Sequence, residues 1–113
     1  MELRTATAAD FEEVFGLPAP HTFHAVVAVD EGTVAGIGGI MFADTSIAFM
    51  HVCDGVDLRK HKRMLVRALR LFKKMLRNHH QVLAAPADEV TAPGFLQHVG
   101  FERVEEGVYL WRR

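Results

Sequence analysis

The nineteen residues HAVVAVDEGTVAGIGGIMF, 24 to 42, decide how the rest of the chain is read. HAVVAVD is rich in β-branched residues and predicts a strand. DEG, residues 30 to 32, is a turn signal, and TVAGIGGIMF is the strand that returns from it. Gly36, Gly38 and Gly39 weaken that strand as a packed surface. They point to a bulge or to a close approach of another backbone. They are not a dinucleotide fingerprint, because a strand follows them where that motif needs a helix.

Working outward, ADTS (43–46) turns the chain and IAFMHVC (47–53) is a third strand, apolar enough to be central. Upstream, ELRTA alternates as a short strand. Thr7 is the expected N-cap of a helix over Ala8 to Phe15, with Asp10 acting as the partner of a capping box. That helix should bury Phe11, Val14 and Phe15, and GLPAP ends it, since Pro18 and Pro20 cannot continue a helix. Downstream, Leu65, Ala68, Leu69, Phe72, Met75 and Leu76 recur at helical spacing, which predicts a long helix over about 58–78 with Asp57 capping its start. QVLAA (81–85) is a short buried strand. Thr91 should cap a short helix over about 92–99 that Gly100 stops, and FERVEEGVYLWRR is two strands around the Glu106-Gly107 turn. A long helix between two strands that would lie parallel implies a crossover. The fold class is therefore α/β (α+β), one domain over 1–113, with a mixed, mostly antiparallel sheet.

Bulk properties narrow the function. The 113 residues are half apolar and about a quarter charged, an ordinary globular balance. The polar N-terminal stretch is not a signal peptide, and no apolar run approaches the ~20 residues of a membrane span. A lone Cys53 allows no internal disulfide. The expectation is a soluble, cytoplasmic protein. The net charge of −1 hides an asymmetry: residues 59 to 77 hold nine Lys or Arg and no acid, +9, while four Lys or Arg against fourteen acids leave −10 elsewhere. This stripe could dock an acidic protein partner or remain a solvated helix face. Nucleic acid is disfavoured, because no aromatic row interleaves with the cations and the rest of the chain is acidic.

The element order and certain residues together resemble the GNAT superfamily of acyl-CoA N-acyltransferases. LRTATAADFEEV is similar to that family's opening strand and helix, VVAVDEGTVAGIGGI to its hairpin, and GFLQHVGFERVEEGVYLW to its closing helix, Gly-Phe pair and last strands. The resemblance covers nearly the whole chain. It implies transfer of an acyl group from acetyl-CoA or another acyl-CoA to an amine. It also implies free backbone groups around Val52, Cys53 and Asp54 for the acyl carbonyl and pantetheine, and a Gln/Arg-x-x-Gly-x-Gly/Ala loop for the pyrophosphate. On that loop Arg59 agrees with the pattern, whereas Lys62 and Met64 replace its small residues. The segment LRKHKRML then supplies Arg59, Lys60, His61, Lys62, Arg63 and Met64 as the pyrophosphate-binding set, with cations standing in for glycine amides. The tyrosine that often protonates the departing thiolate is here Leu96, and an asparagine that often precedes it is Glu89. The segment GLPAPHTF leaves little wall over an acceptor amine.

Those departures keep a second reading open: a non-catalytic binding or structural module on the same fold, of the kind expected in phage or prophage genomes. His51, on the third strand, is the candidate general base for an ammonium acceptor. A strand histidine satisfied by a backbone carbonyl is the plainer alternative. Cys53 beside Asp54 reads as a core residue rather than a reactive thiolate. The pairs His21/His24 and His79/His80 lack further ligands at metal spacing, so no metal is expected, and His79-His80 reads as a charged helix end. The exposed edge of the last strands could pair with a second subunit as a homodimer.

Overall fold

The computed structural model describes residues 1–86 and 96–113. Its elements are β1 (Glu2–Thr5), α1 (Ala8–Phe15), β2 (Phe23–Asp30), β3 (Thr33–Met41), β4 (Ser46–Val52), α2 (Lys62–Leu76), β5 (Gln81–Ala84), β6 (Glu102–Glu105) and β7 (Val108–Arg112). The strands form one sheet in the order β1-β2-β3-β4-β5-β7-β6. Among the described residues every pairing is antiparallel except β4 with β5, which α2 connects as a crossover.

The hairpin over 24–42 forms as expected. Glu31 and Gly32 both have positive φ, 50° and 80°, the geometry of a tight primed turn. The register shifts between Ala28 and Val29, so that Ala35 is the extra residue of a bulge in β3. A Cβ on Gly39 would run into the carbonyl oxygen of His24 and into Ala25, so only glycine fits there. Both reasons anticipated for the glycines therefore operate, at neighbouring positions.

Residues alternate between the two faces of this sheet. Ala25, Val27, Ile37 and Met41 pack with Phe11 of α1 on one face. Ile40 and Val82 pack with Met75 and Leu76 of α2 on the other, together with Phe101 and Tyr109. The capping box of α1 is complete: Asp10 N–H donates to Thr7 Oγ1 and Thr7 N–H donates to Asp10 Oδ2. Arg4 clamps the same carboxylate from β1 with two hydrogen bonds of 2.7 and 2.8 Å. These bonds hold the Asp10 carboxyl far below the usual carboxylate range, Arg4 contributing most. They also fix α1 to the sheet edge, which sets where its last residue, Phe15, stands.

Four expectations are corrected. The helix over 58–78 begins later and ends earlier. Asp57 Oδ1 accepts from the Arg59 backbone N–H at 3.0 Å and so caps a separate 3-10 turn, Leu58–Lys60, and not α2. His61, at φ −126° and ψ 45°, breaks the chain before α2 starts at Lys62. At the far end the Asn78 and His79 N–H groups fold back onto Met75 and Leu76 carbonyls, which closes the helix. Phe15 is not buried but 37% exposed. His79 is not a charged helix end: it stacks on Phe42, accepts or donates at 2.7 Å to Ser46 Oγ, and burial then nearby His24 lower its pKa. The short helix over 92–99 is described only at 96–99, helical over 96–98 and a turn at Val99; Thr91 and Glu89 lie outside the described residues. Among the described residues no helix is long and apolar enough to cross a membrane.

Candidate active site

β4 and β5 pair only at Ser46–Val82 and Ile47–Leu83, after which the two parallel strands separate. β4 continues for five more residues against β3 alone. Strand alternation settles which backbone groups face the gap. Cys53 N–H donates to Ala35 O at 2.9 Å, across to β3. His51 and Phe49 therefore also turn their amides toward β3, while Met50 and Val52 turn theirs toward the gap. The β4 backbone groups that face the gap are thus those of Met50 and Val52; of the expected stretch Val52 to Asp54, the Cys53 amide is instead bonded to β3. Asp54 lies beyond the strand in an exposed turn with Gly55, whose φ is 82°.

Below the gap lies a cavity of about 500 Å³ between the sheet and α2. Its sheet wall is built of small residues, Ala28, Gly36, Gly38 and Ala48 among them, with Met50 beside them. Its roof is Met64, Leu65, Ala68, Leu69 and Phe72. The apolar face of α2 that the sequence shows is therefore used in two ways. Met75 and Leu76, at the C-terminal end, are buried in the core, whereas Leu65 is 36% exposed over the cavity. The helix is anchored at one end and spans an opening at the other. Met64, which replaces a small residue of the expected loop, lines the cavity beneath the helix.

The cavity reaches the α1 side of the sheet at Phe15 and His51, whose rings lie 5.7 Å apart. Phe49 meets Phe15 edge-on from the neighbouring strand position. His51 is exposed, and it is the only titratable side chain among the described residues that line the cavity. Leu96, at the position of the missing tyrosine, is buried in the α2-side core and also lines the cavity. It offers no proton.

The other end of the site is the start of α2. The first turn carries no acid, and His61 at the N-cap makes no side-chain capping bond. The helix's leading amides and its positive dipole end are thus available to an anion. Lys60, Lys62 and Arg63 are exposed and form no ion pair among the described residues. Arg59 is held differently: its Nε lies 3.2 Å from Asp57 Oδ1, and its side chain is 90% exposed. Such an exposed pair is weak and readily exchanged.

Sequence reasoning anticipated this basic turn, but not Phe15, Gly36, Gly38 or Ala68 as cavity walls. The signal was present at Gly36 and Gly38, two small residues at strand spacing on one face.

No protein-family model matches the sequence, and no curated protein matches it. Solved structures do match. The ribosomal-protein-S18-alanine N-acetyltransferase of Escherichia coli superposes with a TM-score of 0.67 at 11% identity, covering 98% of this chain and 92% of that one. This chain has the GNAT acetyltransferase fold. A GNAT family acetyltransferase from Elizabethkingia anophelis, solved with acetyl-CoA bound, matches at a TM-score of 0.56 and 13% identity over 99% of this chain and 97% of that one. A variant of spermidine N-acetyltransferase from Vibrio cholerae matches at 0.58 and 13% identity over 97% and 92%. The GNAT fold expected from the order of elements is the fold observed, down to the crossover helix and the single parallel pair.

Proposed function

We propose that this chain is an N-acyltransferase that takes an acyl group from acetyl-CoA, or another acyl-CoA, and passes it to an amine. One observation carries the proposal: the gap between β4 and β5 opens onto an apolar cavity that runs beneath a cationic helix start. A long ligand that is apolar at one end and phosphorylated at the other matches both parts. The acyl-CoA supplies the activated thioester. The chain's residues hold and orient it. Arg59, Lys60, Lys62 and Arg63, with the leading amides of α2 from His61 to Met64, hold the phosphates. Backbone groups of Met50 and Val52 hold the pantetheine amides and the acyl carbonyl, with Cys53 and Asp54 closing the end of that strand. Gly36 and Gly38 leave the room this needs.

His51 stands where the cavity reaches the α1 side and accepts a proton from the incoming amine. A neutral imidazole is suited to that task near pH 7. Leu96 has no proton for the departing thiolate, so that proton comes from solvent or from the amine through His51. The GNAT fold and the acetyl-CoA-bound relative support this reading over the non-catalytic module.

The test is release of free thiol from acetyl-CoA on addition of a panel of primary amines, read with a chromogenic disulfide. Amine-dependent release that His51→Gln reduces by about 10²-fold or more is the expected outcome. Equal release without amine, or no release with any, would count against transfer.

A further inference from the structure

We propose that the outer face of α2, with the groove between that helix and β1, is a docking surface for an acidic polypeptide segment. It adjoins the acyl-CoA site described above, sharing Arg63 with the phosphate end and Leu3, Val26 and Met75 with the cavity, while Arg67, Arg70, Lys74 and Arg77 belong to it alone. Arg63, Arg67, Arg70, Lys74 and Arg77 recur at alternating steps of four and three residues, and all five are exposed. They form one stripe about 21 Å long at 1.5 Å per residue. None of them makes an ion pair among the described residues. Like charges at this spacing oppose the helix that carries them. An acidic partner laid along the stripe would remove that repulsion.

The groove adds what a bare basic face lacks. A cavity of about 370 Å³ lies between α2 and the first two strands. Arg67 and Lys74 stand on its helix side, with Asn78 beyond them, and Leu3, Val26 and Leu71 supply apolar walls. β1 is an edge strand, so its outer side is open to an added chain. Arg4 also lines the groove, but Asp10 already neutralises it, so the net charge there comes from Arg67 and Lys74. The surface therefore fits an extended acidic segment with an apolar side chain that enters the groove. Nucleic acid fits less well. His24 is the only ring that lines the groove among the described residues, so no row of aromatic side chains is offered to stacking bases, and the chain outside 59–77 carries −10.

The experiment is fluorescence anisotropy with a short labelled peptide of Glu and Leu, run beside an all-Glu peptide, a Lys-Leu peptide and single-stranded oligo-dT. The Glu-Leu peptide is expected to bind most tightly, to weaken as salt rises, and to lose at least tenfold in affinity in Arg67→Glu/Lys74→Glu. Arg67→Gln/Lys74→Gln should show a smaller loss in the same direction, and neither variant should melt below the wild type. Oligo-dT binding as tightly as the Glu-Leu peptide would overturn the choice of partner. Equal affinity for the all-Glu peptide would overturn the role of the groove. An unchanged affinity in both variants, with the fold intact, would overturn the site itself.

Discussion

Filling the cavity under α2 should stabilise the protein and remove its response to acyl-CoA, two effects of opposite sign from one substitution. Ala68 is the suitable position, because it faces the cavity from the middle of the helix roof. Ala68→Leu adds three carbons, which contribute about 2.4 kcal/mol if fully buried. Ordering the leucine costs about 0.7 kcal/mol, and its slightly poorer helix propensity a further ~0.2. The net is at most about 1.5 kcal/mol, and less because the cavity is open to water on one side. The melting midpoint should rise by about 2–6 °C. In a thermal-shift assay the further rise caused by acetyl-CoA should fall to a small fraction of its wild-type value. A well-packed interior would respond the other way, losing about 1–3 kcal/mol to overpacking. A lower midpoint with the acetyl-CoA response intact would therefore refute both the open cavity and its use.

Four other expectations follow from the same structure. Lys62→Glu, at the exposed start of α2, should abolish acetyl-CoA stabilisation while moving the ligand-free midpoint by no more than about 2–3 °C, the range of exposed substitutions. Gly39→Ala should lower the urea midpoint by the equivalent of about 1–3 kcal/mol or more, because its Cβ meets β2 backbone, whereas Gly38→Ala meets nothing closer than 3.7 Å and should be tolerated. Asp10 binds fewer protons folded than unfolded, so its contribution is full above its ordinary pKa near 3.8 and is lost as pH falls toward its depressed native value; Asp10→Asn should flatten the acid limb of a stability-versus-pH curve. His79 has a lowered pKa, so the unfolded chain takes up its proton first and stability should decline as pH falls through about 6.5; His79→Gln should remove that decline in melts at pH 7.5 and 5.5.

Much of the fold was legible because its signals are local. Thr7 and Asp10 specify the start of α1 within four residues, and Gly107, at φ 73°, marks the last hairpin. The limits of α2 were not legible, because Asp57 had two ways to cap and the choice between them depends on His61 leaving helical geometry. Phe15 repeats at helix spacing like a core residue, yet the sheet opposite it ends in an opening, which no helix periodicity records. The fate of His79 depends on Ser46, thirty-three residues away. The basic turn at 59–64 was visible from composition alone. The apolar half of the site was not, since it is the space left by Gly36, Gly38 and the separation of β4 from β5. Only the assembled sheet shows that space.

The most direct measurement is the melting midpoint of the purified chain with and without acetyl-CoA, against ATP and sulfate at matched concentrations. Ligand at ~100 times its dissociation constant stabilises by about 2.7 kcal/mol, on the order of 10 °C for a chain of this size. A rise of that order with acetyl-CoA, well above both controls, is the expected result. Equal rises with all three would reduce LRKHKRML to a general anion patch, and no rise with any would contradict acyl-CoA binding.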